Sequence, residues 1–154
     1  MDTQMMTSLG NAGAAAVLGL AAMGSALGTG TAGMAAIGAW KKCYAQSKTA
    51  PFILMIFIGA PLSQTIYGMI LMFQMNRLAE LGGENAFVNW PAMISAGIFG
   101  GLAMGASSWF QGKAGAAGAD ALAETGQGFG NYLMTIGIVE TVALFVLVFI
   151  QTTL

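Results

Sequence analysis

The chain has 154 residues, 56% of them hydrophobic and only 7% charged, with a mean hydropathy of +0.74. A soluble domain usually carries about 25% charged residues, so an ordinary soluble globule is excluded and a membrane protein with its charges in short loops is indicated. The net charge of -1, the absence of histidine and the single cysteine, Cys43, further exclude a nucleic-acid partner, histidine-based catalysis and an intrachain disulfide.

The first apolar stretch runs from about Asn11 to Trp40. A secretory signal opens on a positive region, whereas here Asp2 leads and no Lys or Arg precedes Lys41, so the segment is expected to be retained as a first helix. Gly24, Gly28, Ala32 and Ala36 recur at four-residue spacing. That spacing puts small side chains on one helix face and lets backbones approach closely in lipid. Lys41, Lys42 and Lys48 are placed in the loop that follows. The second stretch, about Pro51 to Met75, is bulky and is interrupted by Pro61. Arg77, Glu80 and Glu84 are placed in the next loop. The third stretch, about Phe87 to Ala119, is small again, with Gly97, Gly101 and Gly105 in register. Lys113, Asp120 and Glu124 are placed at its end and in the loop after it. The fourth, about Phe129 to Ile150, is bulky.

Each stretch exceeds the roughly 20 residues that cross a bilayer as a helix. The expected fold is an all-α membrane protein of four transmembrane helices, made of two duplicated hairpins, residues 1–76 and 77–154, in one membrane domain. Ser25, Gly30, Ala32 and Gly33 pair with Ser107, Gly112, Ala114 and Gly115 at a constant offset, which marks the repeat. The small–large alternation fits either a generic four-helix bundle with packing glycines or a ring with tight inner and bulky outer helices. Three lysines in the first loop favour a cytoplasmic position for it, with both termini and the Arg77–Glu84 loop outside.

Among the charged residues only Glu140, in IGIVETVALF, is expected well inside a span. A carboxylate at mid-bilayer costs about 2.5–3.5 kcal/mol on insertion scales, so it takes up a proton or a cation there. Counted from turns near Thr49–Ala50 and Glu124–Gly126, Gln64, Gln111 and Glu140 all lie about 20 Å along their helices. Three helices thus offer oxygens at one level, and hard cations prefer such oxygens. Ser63 and Tyr67 flank Gln64, and the Tyr67 hydroxyl is placed to donate to Glu140. Pro61 removes a backbone hydrogen bond and frees a carbonyl or kinks the helix. Hydrogen bonding between helices explains each polar residue singly but not their common depth. The glycine runs at Gly24–Gly38 and Gly112–Gly118 lack the Gly-Lys-Ser/Thr ending of a phosphate loop, so no nucleotide site is expected.

PLSQTIYG at Pro61–Gly68, FQGKAGAAG at Phe110–Gly118 and IVET at Ile138–Thr141, in that order on a duplicated hairpin, resemble the proteolipid rotor-ring (K or c) subunit of V-type (V/A-type) ATPases. The resemblance implies a homo-oligomeric ring in the cell membrane, partnered by a static membrane subunit with a stator arginine, by central-stalk subunits and by lipid. It implies a non-catalytic subunit that carries Na+, with H+ as the alternative. In the sodium branch the ion ligands would be Glu140, Gln111, Gln64, the Ser63 hydroxyl and the main-chain carbonyl of Ala60, with Tyr67 hydrogen-bonded to Glu140. The sodium form often has threonine and glycine around the first glutamine, where this chain has Ser63 and Thr65, with Leu62 after the proline. A small four-helix secondary transporter is a further alternative, but its essential glutamate usually sits in the first helix.

Overall fold

A computed structural model of the chain describes residues 2–81 and 89–154. Glu84 and the expected helix start at Phe87 lie outside the described residues. Among the described residues four helices are long and apolar enough to cross a membrane, and there are no strands. They are α1 (Thr3–Ala45), α2 (Phe52–Leu81), α3 (Trp90–Thr125) and α4 (Phe129–Thr153). The fold is all-α.

All four helices run past the apolar stretches that announce them, because charged residues do not stop a helix and specific backbone signals do. α1 opens on Asp2, whose carboxylate accepts from the Met5 amide at 2.7 Å. It ends before Ser47, whose φ of 55° leaves the helical region. α3 runs to Thr125 and stops at Gly126, at φ 67°, whose amide closes back on the Leu122 carbonyl at 2.8 Å. Gly128 at φ 85° then turns the chain into α4.

Several charges expected in loops are therefore helical. Lys41 and Lys42 finish α1, while Arg77 and Glu80 lie in the last turns of α2, so residues 77–81 complete the first hairpin. Asp120 and Glu124 belong to α3. Lys113 is the main correction: it lies inside α3, about 18 Å from the Thr125 end. Glu140 is thus not the only ionisable residue well inside a span. The apolar stretch alone sets no helix end, and the Ala/Gly-rich residues after Lys113 continue the helix.

The expected small faces of α1 and α3 meet. A Cβ on Gly24 would land on the backbone of Gly105, one on Gly112 on the backbone of Gly28, and one on Gly97 on that of Gly13. Backbone therefore touches backbone along most of this seam. α2 lies against α1, with Gly68 beside Val17 and Ala21, and α4 lies against α3. Two apolar clusters fill the bundle, one around Val17, Leu71, Met75 and Met104, the other around Leu54, Phe57, Leu122 and Ile136. A band of buried polar side chains, Ser25, Gln64, Ser107, Ser108 and Gln111, separates them. The outer faces of α2 and α4 expose Phe73, Phe145 and Phe149, as a surface in contact with lipid does. Lys42 pairs with Glu124, which ties the ends of α1 and α3 and puts both short connections on one side of the bundle. The chain is a multi-pass membrane protein.

Candidate functional site

Glu140 lies close to the midpoint of α4, a helix of 25 residues and about 37 Å. With a hydrocarbon core of about 30 Å, that position is near the bilayer centre. Its half-buried side chain faces α2 and α3. The Tyr67 hydroxyl donates to Glu140 Oε1 at 2.6 Å, and Gln111 Nε2 donates to Oε2 at 3.2 Å. The two donors fix the position of the carboxylate between α2 and α3.

The network continues inward. Gln64 Nε2 donates to Gln111 Oε1 at 2.9 Å and lies 3.5 Å from Ser107 Oγ. Gln64 and Gln111 are both fully buried. Ser63 Oγ lies 3.0 Å from the Ala60 carbonyl and 3.1 Å from Gln64 Oε1, and its single proton serves one of them at a time. The structure thus places Ser63, Gln64, Tyr67, Gln111, Glu140 and the Ala60 carbonyl in one connected set drawn from three helices.

Pro61 shapes the α2 side of the set. Having no amide hydrogen, it interrupts the α-helical ladder, and Ala60–Leu62 tighten into a 3-10 turn. The Ser108 hydroxyl donates to the Pro61 carbonyl at 2.7 Å. Leu62, the bulky departure from the sodium-type pattern, is 50% exposed, whereas the glutamines are fully buried. Thr65 is half-buried.

Ser107 and Ser108 are part of the site, and sequence reasoning did not select them. Ser107 Oγ donates to the Val139 carbonyl at 2.9 Å, bracing α4 immediately before Glu140. The signal was present, since Ser107 is the repeat partner of Ser25 and lies one helical turn before Gln111. Among the described residues no lysine or arginine forms an ion pair with Glu140. The site therefore offers one carboxylate, two amides, hydroxyls and a carbonyl. A bare charge is costly at this depth, and these oxygens suit a proton or a monovalent cation.

No curated protein matches this sequence. Residues 94–150, which cover most of α3 and of α4, match the family model of the ATP synthase C subunit. The second hairpin, with Gln111 and Glu140 on it, is thus similar to the C subunit of ATP synthase, whose family consists of non-catalytic proteolipids that form ion-translocating rings in the membrane.

Proposed function

We propose that this chain is the ion-carrying rotor-ring subunit of a V-type ATPase or ATP synthase, and that Glu140 binds and carries Na+ as the ring turns. One observation carries this reading: a mid-membrane carboxylate held by Tyr67 and Gln111 and linked through Gln64 to a second helix. The ligands would be Glu140, the side-chain oxygens of Gln64, Gln111 and Ser63, and the Ala60 carbonyl. Tyr67 would hold Glu140 Oε1 and leave Oε2 to turn toward the ion. An ion seated there takes the place of the Gln64–Gln111 hydrogen bond.

A loaded, neutral Glu140 can face lipid, whereas a bare carboxylate cannot. At the static membrane subunit, a stator arginine would compete for the carboxylate and release the ion. The chain would carry ions and transmit torque within a ring of identical copies coupled to central-stalk subunits, and itself bind no nucleotide. The two hairpins are read as one duplicated unit, in a cell membrane, with the lysine-rich connection cytoplasmic and both termini outside.

A second reading, transport of H+, is favoured by a specific feature of the same geometry. Gln111 Oε1 already accepts from Gln64, and the Ser63 hydroxyl lies within reach of Gln64 Oε1, so the network can close within the protein. Protonation of Glu140 would disturb it least.

Labelling with a hydrophobic carbodiimide, with and without Na+ across a pH series, separates the readings. Modification of Glu140 that Na+ suppresses at fixed pH supports the sodium carrier. Protection by high pH alone moves the assignment to protons. If Glu140 is never modified, the ion-carrying reading fails.

A further inference from the structure

Ser107 is buried where Gln64, Gln111 and α4 meet. It lies on α3 one turn before Gln111, so the two side chains share one face of the helix. A serine hydroxyl carries one proton and two lone pairs. Here the proton is committed to the Val139 carbonyl at 2.9 Å. The oxygen therefore meets Gln64 as an acceptor, 3.5 Å from Nε2 and at the outer limit of a hydrogen bond. Val139 keeps a partner without this contact, because a carbonyl inside α4 accepts from the amide four residues on. What Ser107 supplies that the backbone does not is an oxygen turned toward Gln64.

The need for that oxygen arises when the site is loaded. With no ion, Gln64 Nε2 donates to Gln111 Oε1 at 2.9 Å. An ion that draws Gln111 Oε1 onto itself takes that acceptor away from a fully buried side chain. A buried donor left unpaired disfavours the state that contains it roughly tenfold or more. Among the described residues the acceptors within reach of Gln64 Nε2 are Gln111 Oε1 and Ser107 Oγ, so the second is the one that remains. Gln111 is provided for in the same way, its Nε2 lying 3.2 Å from Glu140 Oε2 and 3.4 Å from the Ile136 carbonyl. Each amide nitrogen thus has a near acceptor and a farther one beside it. Protonation of Glu140 makes no such demand, since the Gln64–Gln111 bond stays in place.

We propose that Ser107 is a positioning residue for Na+ loading: it receives the Gln64 amide hydrogen when the ion displaces the Gln64–Gln111 bond, and so favours Na+ over H+ at Glu140. It acts through Gln64 and does not touch the ion, and the role rests on the reading of Glu140 as a Na+ carrier. Ser108 is not interchangeable with it, because the Ser108 hydroxyl lies 2.7 Å from the Pro61 carbonyl and 3.3 Å from the Ser25 hydroxyl, away from both amides.

The test is carbodiimide labelling of Glu140 in the assembled complex, read in two ways. At fixed pH, the Na+ concentration that halves labelling measures ion loading. Without Na+, the pH that halves labelling measures proton loading. Ser107→Ala should raise the half-protecting Na+ concentration roughly tenfold and leave the pH midpoint at its wild-type value. Ser107→Thr, which keeps the oxygen, should return Na+ protection toward wild type. Ser95→Ala, at a serine bonded to the Pro91 carbonyl of its own helix, should change neither reading. Unchanged Na+ protection in Ser107→Ala, with wild type protected, would overturn this role and leave the sodium reading standing. A matching loss of Na+ and proton loading would also overturn it, since a displaced α4 produces that result. A wild type that Na+ does not protect fails the sodium reading, and this role falls with it. If the Ser107→Ala chain does not assemble, Ser107→Cys, similar in size but a weak acceptor, gives the same comparison.

Discussion

Tyr67 makes the shorter of the two hydrogen bonds to Glu140, and its removal leaves the ring in place without the donor. Tyr67→Phe should therefore keep the fold and weaken ion protection of Glu140 by one to two orders of magnitude, as expected for losing a hydrogen bond worth about 1.5–3 kcal/mol to a charged group. Carbodiimide labelling against ion concentration measures this. Gln111→Ala and Gln64→Ala should weaken Na+ protection as well, and if neither does, the proposed ligand set is wrong even with Glu140 right. Glu140→Gln should abolish both labelling and transport. The common depth of Gln64, Gln111 and Glu140 was legible in the sequence because helical rise is constant, so residues counted from a turn convert directly to height. Ser107 and Ser108 were not selected, since their partners are the carbonyls of Val139 and Pro61, and carbonyls carry no sequence signature. Lys113 was misplaced because depth depends on where a helix ends, and Gly126 rather than the last apolar residue ends α3.

At the scale of helices, glycine has two meanings in this chain. Gly112 lies against the backbone of Gly28, whereas a Cβ on Gly38 would meet nothing within 4 Å. Gly112→Leu should push α1 and α3 apart and lower stability by about 1–3 kcal/mol or more. Gly38→Ala should be neutral or stabilising by about 0.5–1 kcal/mol through helix propensity. Thermal unfolding of the two variants in one detergent checks the contrast. The four-residue spacing of Gly24, Gly28, Ala32 and Ala36 announced the seam, and all four are buried. Local irregularities were harder to read. Pro61 signalled the 3-10 turn of α2, but the π-helical turn at Ala96–Gly100 in α3 has no such residue to announce it.

For the whole molecule, the Lys42–Glu124 pair puts the connections at 46–51 and 126–128 on one side. Cysteines introduced at Lys48 and Gln127 in a Cys43→Ala background should therefore react with a membrane-impermeant maleimide from the same side, and that side should be the cytoplasm. Labelling of the two from opposite sides would contradict the fold, and labelling of both from outside would contradict the proposed orientation. Native mass should show a closed assembly of many copies, and a stable monomer or dimer would exclude the ring. The four-helix membrane fold was legible at this scale because hydropathy and length decide it. Copy number was not, since it depends on angles between outer surfaces that one chain does not fix.

The glycine seam also constrains how the protein moves. Where backbone lies on backbone there are few side-chain rotamers through which one helix can slide past its neighbour, so displacing α1 along α3 means separating the helices outright. The pair should behave as a single stiff strut. Any rearrangement that opens and closes the glutamate then falls to α4 and the outer part of α2, where long flexible side chains can repack. Relaxation measurements on methyl groups should find slow exchange at Ile136, Val142 and Leu71 on loading and unloading, and none at Val17 or Ala32 in the strut.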